Sequence, residues 1–511
     1  MSEQSLETQI GRMCFVGFEG LEPPAYLLDW IRAGRVGGII LFARNIASPQ
    51  QVAALTDALQ AAAPDGVLIG IDQEGGVVAR LREAQGFTEV PGALALASAA
   101  DSVHHVEQVA GVLAAELRAV GIHWDYYPVV DLSYNAANPS VGTRSYGSDP
   151  AQVSALAAAA VRGLQREGVA ASPKHFPGLG NTPIDTHQGL PVLDTPLEHL
   201  EQMDLAPYHA VIAENAATIM VTHTIFTALD ATLPATLSPV VVNQLLRGRL
   251  HFDGVVTTDC MEMKAISDRY PPGESAVLAA LGGFDTILFS HTPARQEAAH
   301  DALLQAVQQG RVPRDLIDTA NRRIMDFRRR YLKPRGDLGA IGNPRHRAIA
   351  REAAQAGVTL VKGGAAFPLA GNGSGVGVIE FPSVLESGIV EAGGVTGFAR
   401  LFHQRLPQAE VLVWREGASH EALGLARRAG TLVLATRNAH LDTRQLAAAR
   451  EYMAAAPQTI LVALRNPYDA GVLEAADSIA CTCGDAVPSL EAVVAALAGD
   501  YTPAGRLPVR I

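Results

Sequence analysis

Four short apolar runs in the first part of this chain end in side chains that can titrate. Val67-Leu68-Ile69-Gly70-Ile71 stops at Asp72, Val169 to Pro173 at Lys174 and His175, Thr218 to Thr222 at His223, and Gly254 to Thr258 at Asp259. Runs of this length read as strands buried on both faces, the pattern of a parallel sheet. A parallel barrel carries all its strand C-termini to one mouth, so groups far apart in sequence converge there. This predicts an enzyme on a (β/α)8 barrel with its active site at the C-terminal face.

The alternation of short apolar runs and amphipathic stretches continues over residues 14–290. Strands are expected near 14–17, 37–42, 67–72, 121–126, 169–175, 217–222, 254–259 and 284–289. Helices are expected over Pro49 to Ala62, Ser102 to Val120, Ala151 to Glu167, Pro196 to Glu214 and Ser238 to Leu250. Such alternation implies right-handed βαβ units, and eight of them in this length suit a closed barrel better than an open sheet. With a helix around Pro313 to Tyr331, the barrel is assigned to residues 1–335 and a linker to 336–345. Residues 346–511 read as a smaller α/β sandwich, with apolar runs near 356–361, 375–381, 410–414, 431–436, 459–464 and 478–483 predicting five or six parallel strands. The glycine-rich Gly371 to Gly377 precedes its strand. A phosphate loop follows a strand and opens a helix, so this segment reads as a turn.

At 511 residues the chain is too long for one ordinary core, and 48% hydrophobic with 18% charged residues excludes extended disorder. A net charge of −12 with no basic stripe argues against a nucleic-acid partner, and Arg328-Arg329-Arg330 reads as a solvated helix end. Four cysteines are too few for a disulfide framework. The N-terminal residues show no charged segment followed by an apolar one, and no stretch is long and apolar enough to span a bilayer. A soluble, cytoplasmic protein without a membrane partner is expected.

The densest chemistry lies in Lys174-His175-Phe176-Pro177-Gly178-Leu179-Gly180-Asn181-Thr182-Pro183-Ile184-Asp185-Thr186-His187. Lys174 and His175 stand at a strand end, and Asp185 and His187 on a loop shaped by glycine and proline. Two positions apart on extended chain, Asp185 and His187 share a side. A carboxylate on one imidazole nitrogen leaves the other free for proton transfer, although the same pair could simply staple the loop. Asp259 could equally cap the helix after its strand. What favours chemistry is company, since Asp72, Lys174, His175, His223 and Asp259 all occupy strand ends of one barrel. A carboxylate facing an acid/base across a barrel mouth is the apparatus of retaining glycoside cleavage.

Lys174-His175-Phe176-Pro177-Gly178-x-Gly180 with Asp185-x-His187 resembles the signature of glycoside hydrolase family 3 β-N-acetylglucosaminidases. So do Asp72-Gln73-Glu74-Gly75-Gly76, Asn138 to Tyr146, Pro234 to Ser238 and Val256-Thr257-Thr258-Asp259-x-Met261-x-Met263. Gly357 to Lys362 and the closing Pro503 to Val509 are similar to the family's second domain. The resemblance implies Asp259 as nucleophile and His187 as acid/base oriented by Asp185. Asp72, Arg80, Arg144, Lys174 and His175 would hold the sugar, with His223 counted among the substrate contacts. Arg144 could instead be a structural ion pair. Leu179 and Val77 depart from the histidine and arginine common there, which leaves the ordering of the acid/base loop and the choice of leaving sugar open. No metal or organic cofactor is implied, and the expected substrate is a small saccharide or muropeptide. A glucosidase or xylosidase of the same family, a phosphorylase and a non-catalytic sugar-binding protein remain alternatives.

Overall fold

Eight short strands, β1 (Cys14–Val16), β2 (Gly38–Leu41), β3 (Leu68–Ile71), β4 (Trp124–Asp125), β5 (Ala170–Ala171), β6 (Thr218–Val221), β7 (Val255–Cys260) and β8 (Thr286–Phe289), form one parallel sheet. Their order is β5-β4-β3-β2-β1-β8-β7-β6. The computed structural model describes residues 5–182, 185–365, 367–369, 371–382, 397–415 and 417–511, so Pro183 and Ile184 of the loop motif lie outside the described residues. The segment after β5 closes the ring: Phe176 N donates to Met220 O at 2.8 Å and Thr222 N to Phe176 O at 2.9 Å. The barrel expected from the alternation is the barrel observed.

β4 and β5 are much shorter than the expected 121–126 and 169–175. Pro128 and Pro173 have no amide hydrogen to give a ladder, so pairing continues only as single bonds. Lys174 N donates to Pro128 O at 3.0 Å and Val130 N to Lys174 O at 2.8 Å. Pairing without regular strands lets this side of the mouth carry long loops.

Large side chains fill the barrel. Phe15, Ile40, Leu68, Trp124, Met220 and Leu288 form the interior cluster with Phe327 and Tyr331. A Cβ on Gly38 would stand 1.9 Å from the Phe15 ring, so only glycine lets that ring lie inside. Helix Arg314–Tyr331 seals the N-terminal end, its Phe327 ring 5.0 Å from Trp124. Each such buried aromatic contributes roughly 2–3 kcal/mol. With the floor packed, the opposite mouth is where a ligand enters.

The outer helices follow their sequence signals closely at Pro49–Ala62, where Ser48 Oγ accepts from Gln51 N at 3.2 Å ahead of a first-turn proline. The single helix expected over Pro196 to Glu214 is instead two, Leu197–Gln202 and Ala206–Ala213. Pro207 in a continuous helix would clash with the carbonyl of Met203, so the chain breaks there and Asp204 turns inward. The stretch expected as a helix over Ser238 to Leu250 winds as a wider π-helix at Val240–Arg249.

The second domain holds β9 (Thr359–Lys362), β10 (Val376–Glu380), β11 (Glu410–Val413), β12 (Thr431–Thr436), β13 (Thr459–Ala463) and β14 (Ser478–Cys481) in the order β9-β14-β13-β12-β10-β11. Five strands are parallel, but β9 runs antiparallel to β14, against the all-parallel expectation. β9 enters directly from a helix, with no crossover to dictate its direction. Val378, Val433 and Ile460 pack on one face of the sheet and Ile379, Leu434 and Leu461 on the other, the mark of a sheet covered on both sides. The segment Gly371–Gly375 forms turns ahead of β10, as its position implies.

A turn of 3-10 helix at Leu338–Ala340 leads into helix Pro344–Gly357, which places Ala350 and Ala353 in the barrel's core and Ala354 in the sandwich's. The C-terminal tail lies between the two, with Arg506 N donating to Ser98 O at 2.8 Å and Ser148 N to Pro508 O at 3.1 Å. Among the described residues, no helix is long and apolar enough to cross a membrane.

Candidate active site

A cavity of about 260 Å³ opens at the C-terminal mouth, and every described residue lining it belongs to the barrel. Of the residues singled out in the sequence, Asp72, Arg80, Arg144, Lys174, His175, His187 and Asp259 line it.

One wall is an ion network. Lys174 follows β5 and sets Nζ 2.6 Å from Asp72 Oδ1 and 2.7 Å from Glu74 Oε1. Arg144 grips Glu74 with both arms, at 2.8 and 2.7 Å, and donates Nη1 to Ser140 O at 2.9 Å. Arg80 stands 3.9 Å from Asp72. Burial opposes charge here, but Arg144 and Lys174 outweigh it and hold Glu74 far below the usual carboxylate range. Likewise burial lowers and Asp72 with Glu74 raises Lys174, the raising effect being the greater. Glu74 and Lys174 are therefore ionised at neutral pH, and Asp72 is the member of the network left part-exposed to a ligand. Arg144 is both a cavity wall and a buried ion-pair partner.

Asp131 organises the next residue. Its Oδ2 lies 2.7 Å from His175 Nδ1 while Oδ1 accepts from Leu179 N at 2.7 Å, so one carboxylate fixes both the imidazole and the start of the loop. The remaining nitrogen of His175 is the one available to the cavity.

Opposite stands the pair expected for proton transfer. Asp185, fully buried, accepts from His187 Nδ1 at 2.8 Å and from His187 N at 2.9 Å through the same oxygen. Burial pushes Asp185 up, but the bonds from His187 hold it below the ordinary value. His187 keeps 30% of its side chain exposed, and its Nε2 is the free end. Asp259 at the end of β7 accepts from its neighbour Cys260 N at 2.7 Å. Burial is again outweighed there, by the imidazoles of His223, His175 and His187, which keep the carboxyl below its usual range. His187 and Asp259 line the same cavity. Burial drives the Cys260 thiol up to about 11, which makes it packing rather than a nucleophile.

His223 does not line the cavity. It is fully buried, with Nδ1 2.8 Å from Thr236 Oγ1 and Nε2 2.8 Å from Cys260 O. Both nitrogens are used, so the expected substrate contact is instead a clamp on the strand end that carries Asp259. Sequence reasoning missed Asp131, Glu74 as the keystone of the ion network, and the wall formed by Phe42, Glu262, Met263 and His291. The apolar run Pro128-Val129-Val130 before Asp131 was the one available signal. Among the described residues, no group of three or more His, Cys, Asp or Glu side chains is placed to hold a metal.

The family model for the glycosyl hydrolase family 3 N terminal domain matches residues 5–327, the whole barrel. The chain belongs to glycosyl hydrolase family 3. It is thus a glycoside hydrolase. A Stenotrophomonas maltophilia β-hexosaminidase is 39% identical over 295 residues, 56% of this chain and 86% of that protein. A Cellulomonas fimi β-N-acetylglucosaminidase/β-glucosidase is 28% identical across 100% of this chain and 94% of its own. Among solved structures, a family 3 β-N-acetylglucosaminidase from Paenibacillus sp. superposes with TM-score 0.91 and 34% identity, covering 99% of both chains. The similarity to this last protein therefore includes the sandwich domain.

Proposed function

We propose that this protein is a retaining, exo-acting β-N-acetylglucosaminidase. The observation that carries this reading is that Asp259 and the Asp185-bound His187 line one cavity, opposite a hydroxyl-binding ion network. The names of the relatives that match the barrel support the sugar preference.

In this mechanism Asp72 accepts from ring hydroxyls, while Lys174, Arg144 and His175 donate to hydroxyls or to the acetamido carbonyl. Asp259, held ionised, attacks the anomeric carbon. His187 as imidazolium gives its Nε2 proton to the departing oxygen, and Asp185 stabilises that cation through Nδ1. Water then enters on the same side, loses a proton to Nε2, and displaces the sugar from Asp259 with net retention. A barrel floor sealed by packed side chains suits release of terminal residues. Peptidoglycan-derived fragments are the proposed natural substrates, in the cytoplasm.

Incubation with a slow fluorinated N-acetylglucosaminide followed by mass spectrometry tests this. The label should appear on Asp259, and a label elsewhere overturns the assignment. An acid/base that is neutral, where a carboxylate would be anionic, once its proton is given away favours one second reading, phosphate in place of water as acceptor. Sugar 1-phosphate formed in phosphate buffer would mark it.

A further inference from the structure

The cavity has two unlike sides. The ion network built on Asp72, Glu74, Arg144 and Lys174 is one. The other is built by Phe42 after β2, Glu262 after β7 and His291 after β8, none of which has a role in the steps above. There the Phe42 and His291 rings lie 5.2 Å apart, tilted by 38°, and both line the cavity. Phe42 is backed by Arg44, whose guanidinium carbon sits 4.4 Å from the ring centre. Arg44 is in turn anchored to Phe18 O at 2.9 Å and Ser290 O at 2.8 Å. Glu262 fixes the backbone of His291, accepting from its N at 2.7 Å and from Thr292 N at 3.0 Å. Among the described residues, neither ring nitrogen of His291 has a hydrogen-bond partner. An aromatic wall is thus held rigidly from behind, and both of its rings line the cavity.

We propose that Phe42 and His291 form the platform of a leaving-group subsite that takes a second pyranose ring, stacked through its C–H face. The inference rests on the glycosidase reading of the same cavity. The departing oxygen must lie beside His187, so the group it carries lies on His187's side. His291 and His187 line the same cavity, so a group leaving past His187 can reach the His291 ring. Burial first, and then Arg44, hold His291 below its ordinary pKa, so the ring is neutral at physiological pH and presents an apolar face. The electron-rich face of an aromatic ring attracts the electropositive C–H groups of a sugar. Glu262 and Lys264 at the rim are placed for its hydroxyls. Phe42 also stands 5.8 Å from the Arg80 guanidinium carbon, which makes the platform continuous with the sugar-holding side.

The test compares a β-linked N-acetylglucosamine disaccharide with N-acetylglucosaminyl fluoride, whose leaving group is too small to reach the platform. For His291→Ala, kcat/KM should fall roughly five- to tenfold further on the disaccharide than on the fluoride, mostly through KM. His291→Phe, which keeps a flat ring, should recover most of that difference. Equal losses on both compounds, or a His291→Phe as poor as His291→Ala, overturn the platform while leaving the glycosidase reading intact. A wild-type protein that cleaves neither compound sinks both.

Discussion

An imidazole alone is a middling acid, and His187 becomes useful because a buried carboxylate holds its far nitrogen at 2.8 Å. Asp185 cannot reach solvent, and its bond to Nδ1 orients the ring so that Nε2 is the end left for proton transfer. Its influence should therefore be felt where protonation of the leaving oxygen is difficult. Replacing His187 with alanine is expected to slow cleavage of alkyl and sugar leaving groups by roughly 10²–10⁴-fold, with a far smaller loss on activated aryl glycosides. Comparing kcat/KM across a series of leaving groups checks this, and a uniform loss would remove His187 from the acid/base role. The ion network works on the same principle. Lys174 and Arg144 tolerate near-complete burial because Glu74 lies between them, and breaking such a buried pair costs about 3–5 kcal/mol.

At the scale of elements, the loop that carries Asp185 and His187 is supported from below by a group that titrates. Asp204, in the break between helices Leu197–Gln202 and Ala206–Ala213, accepts from Tyr134 Oη at 3.2 Å. Its carboxyl also packs where a Cβ on Gly178 would come within 2.8 Å. Burial, together with the nearby charge of Asp131, raises Asp204 to about 7, although the bond from Tyr134 opposes the rise. The folded pKa thus exceeds the unfolded one, so this group's stabilisation is complete below about pH 4 and fades as pH climbs through 7. Asp204→Asn mimics the protonated form and escapes that loss. Its stability relative to wild type, followed by the thermal midpoint, should rise between about pH 4 and 7, at a rate approaching about 1.4 kcal/mol per pH unit, and level off above that. Parallel midpoint curves for the two proteins would contradict this account.

For the molecule as a whole, none of the described residues of the sandwich domain lines the barrel's cavity, while the C-terminal tail packs between the two. That tail is held at Gly505 against the end of the linking helix, where an added Cβ would lie 2.7 Å from Val358 O and 2.8 Å from Gly357 O. Those neighbours are backbone and cannot rotate away. Gly505→Ala is accordingly expected to cost about 1–3 kcal/mol as overpacking. Since every described lining residue belongs to the barrel, KM should hold while the melting temperature falls. Calorimetry alongside steady-state kinetics reads both, and an unmoved melting temperature would show that the tail is not a fixed part of the interface.

How much of this was legible in the amino-acid sequence follows from what each feature depends on. Strand positions, the barrel, and Asp72, Lys174, His175 and Asp259 at strand ends could be read directly, because a charge closing an apolar run is a local pattern. The Asp185–His187 pair could be read for the same reason, its partners being two positions apart. Asp131, Glu74, Phe42 and His291 could not be assigned. Each acquires its partner across the barrel, from a strand or loop tens to hundreds of residues away. His223 was misjudged because a strand end can face the mouth or the neighbouring strand, and only the closed ring decides which. The direction of β9 and the broken helix at Pro207 belong to the same class, settled by packing and sterics once neighbours are in place. Local chemistry dictates which groups arrive at the mouth; the circular order of strands dictates which of them meet.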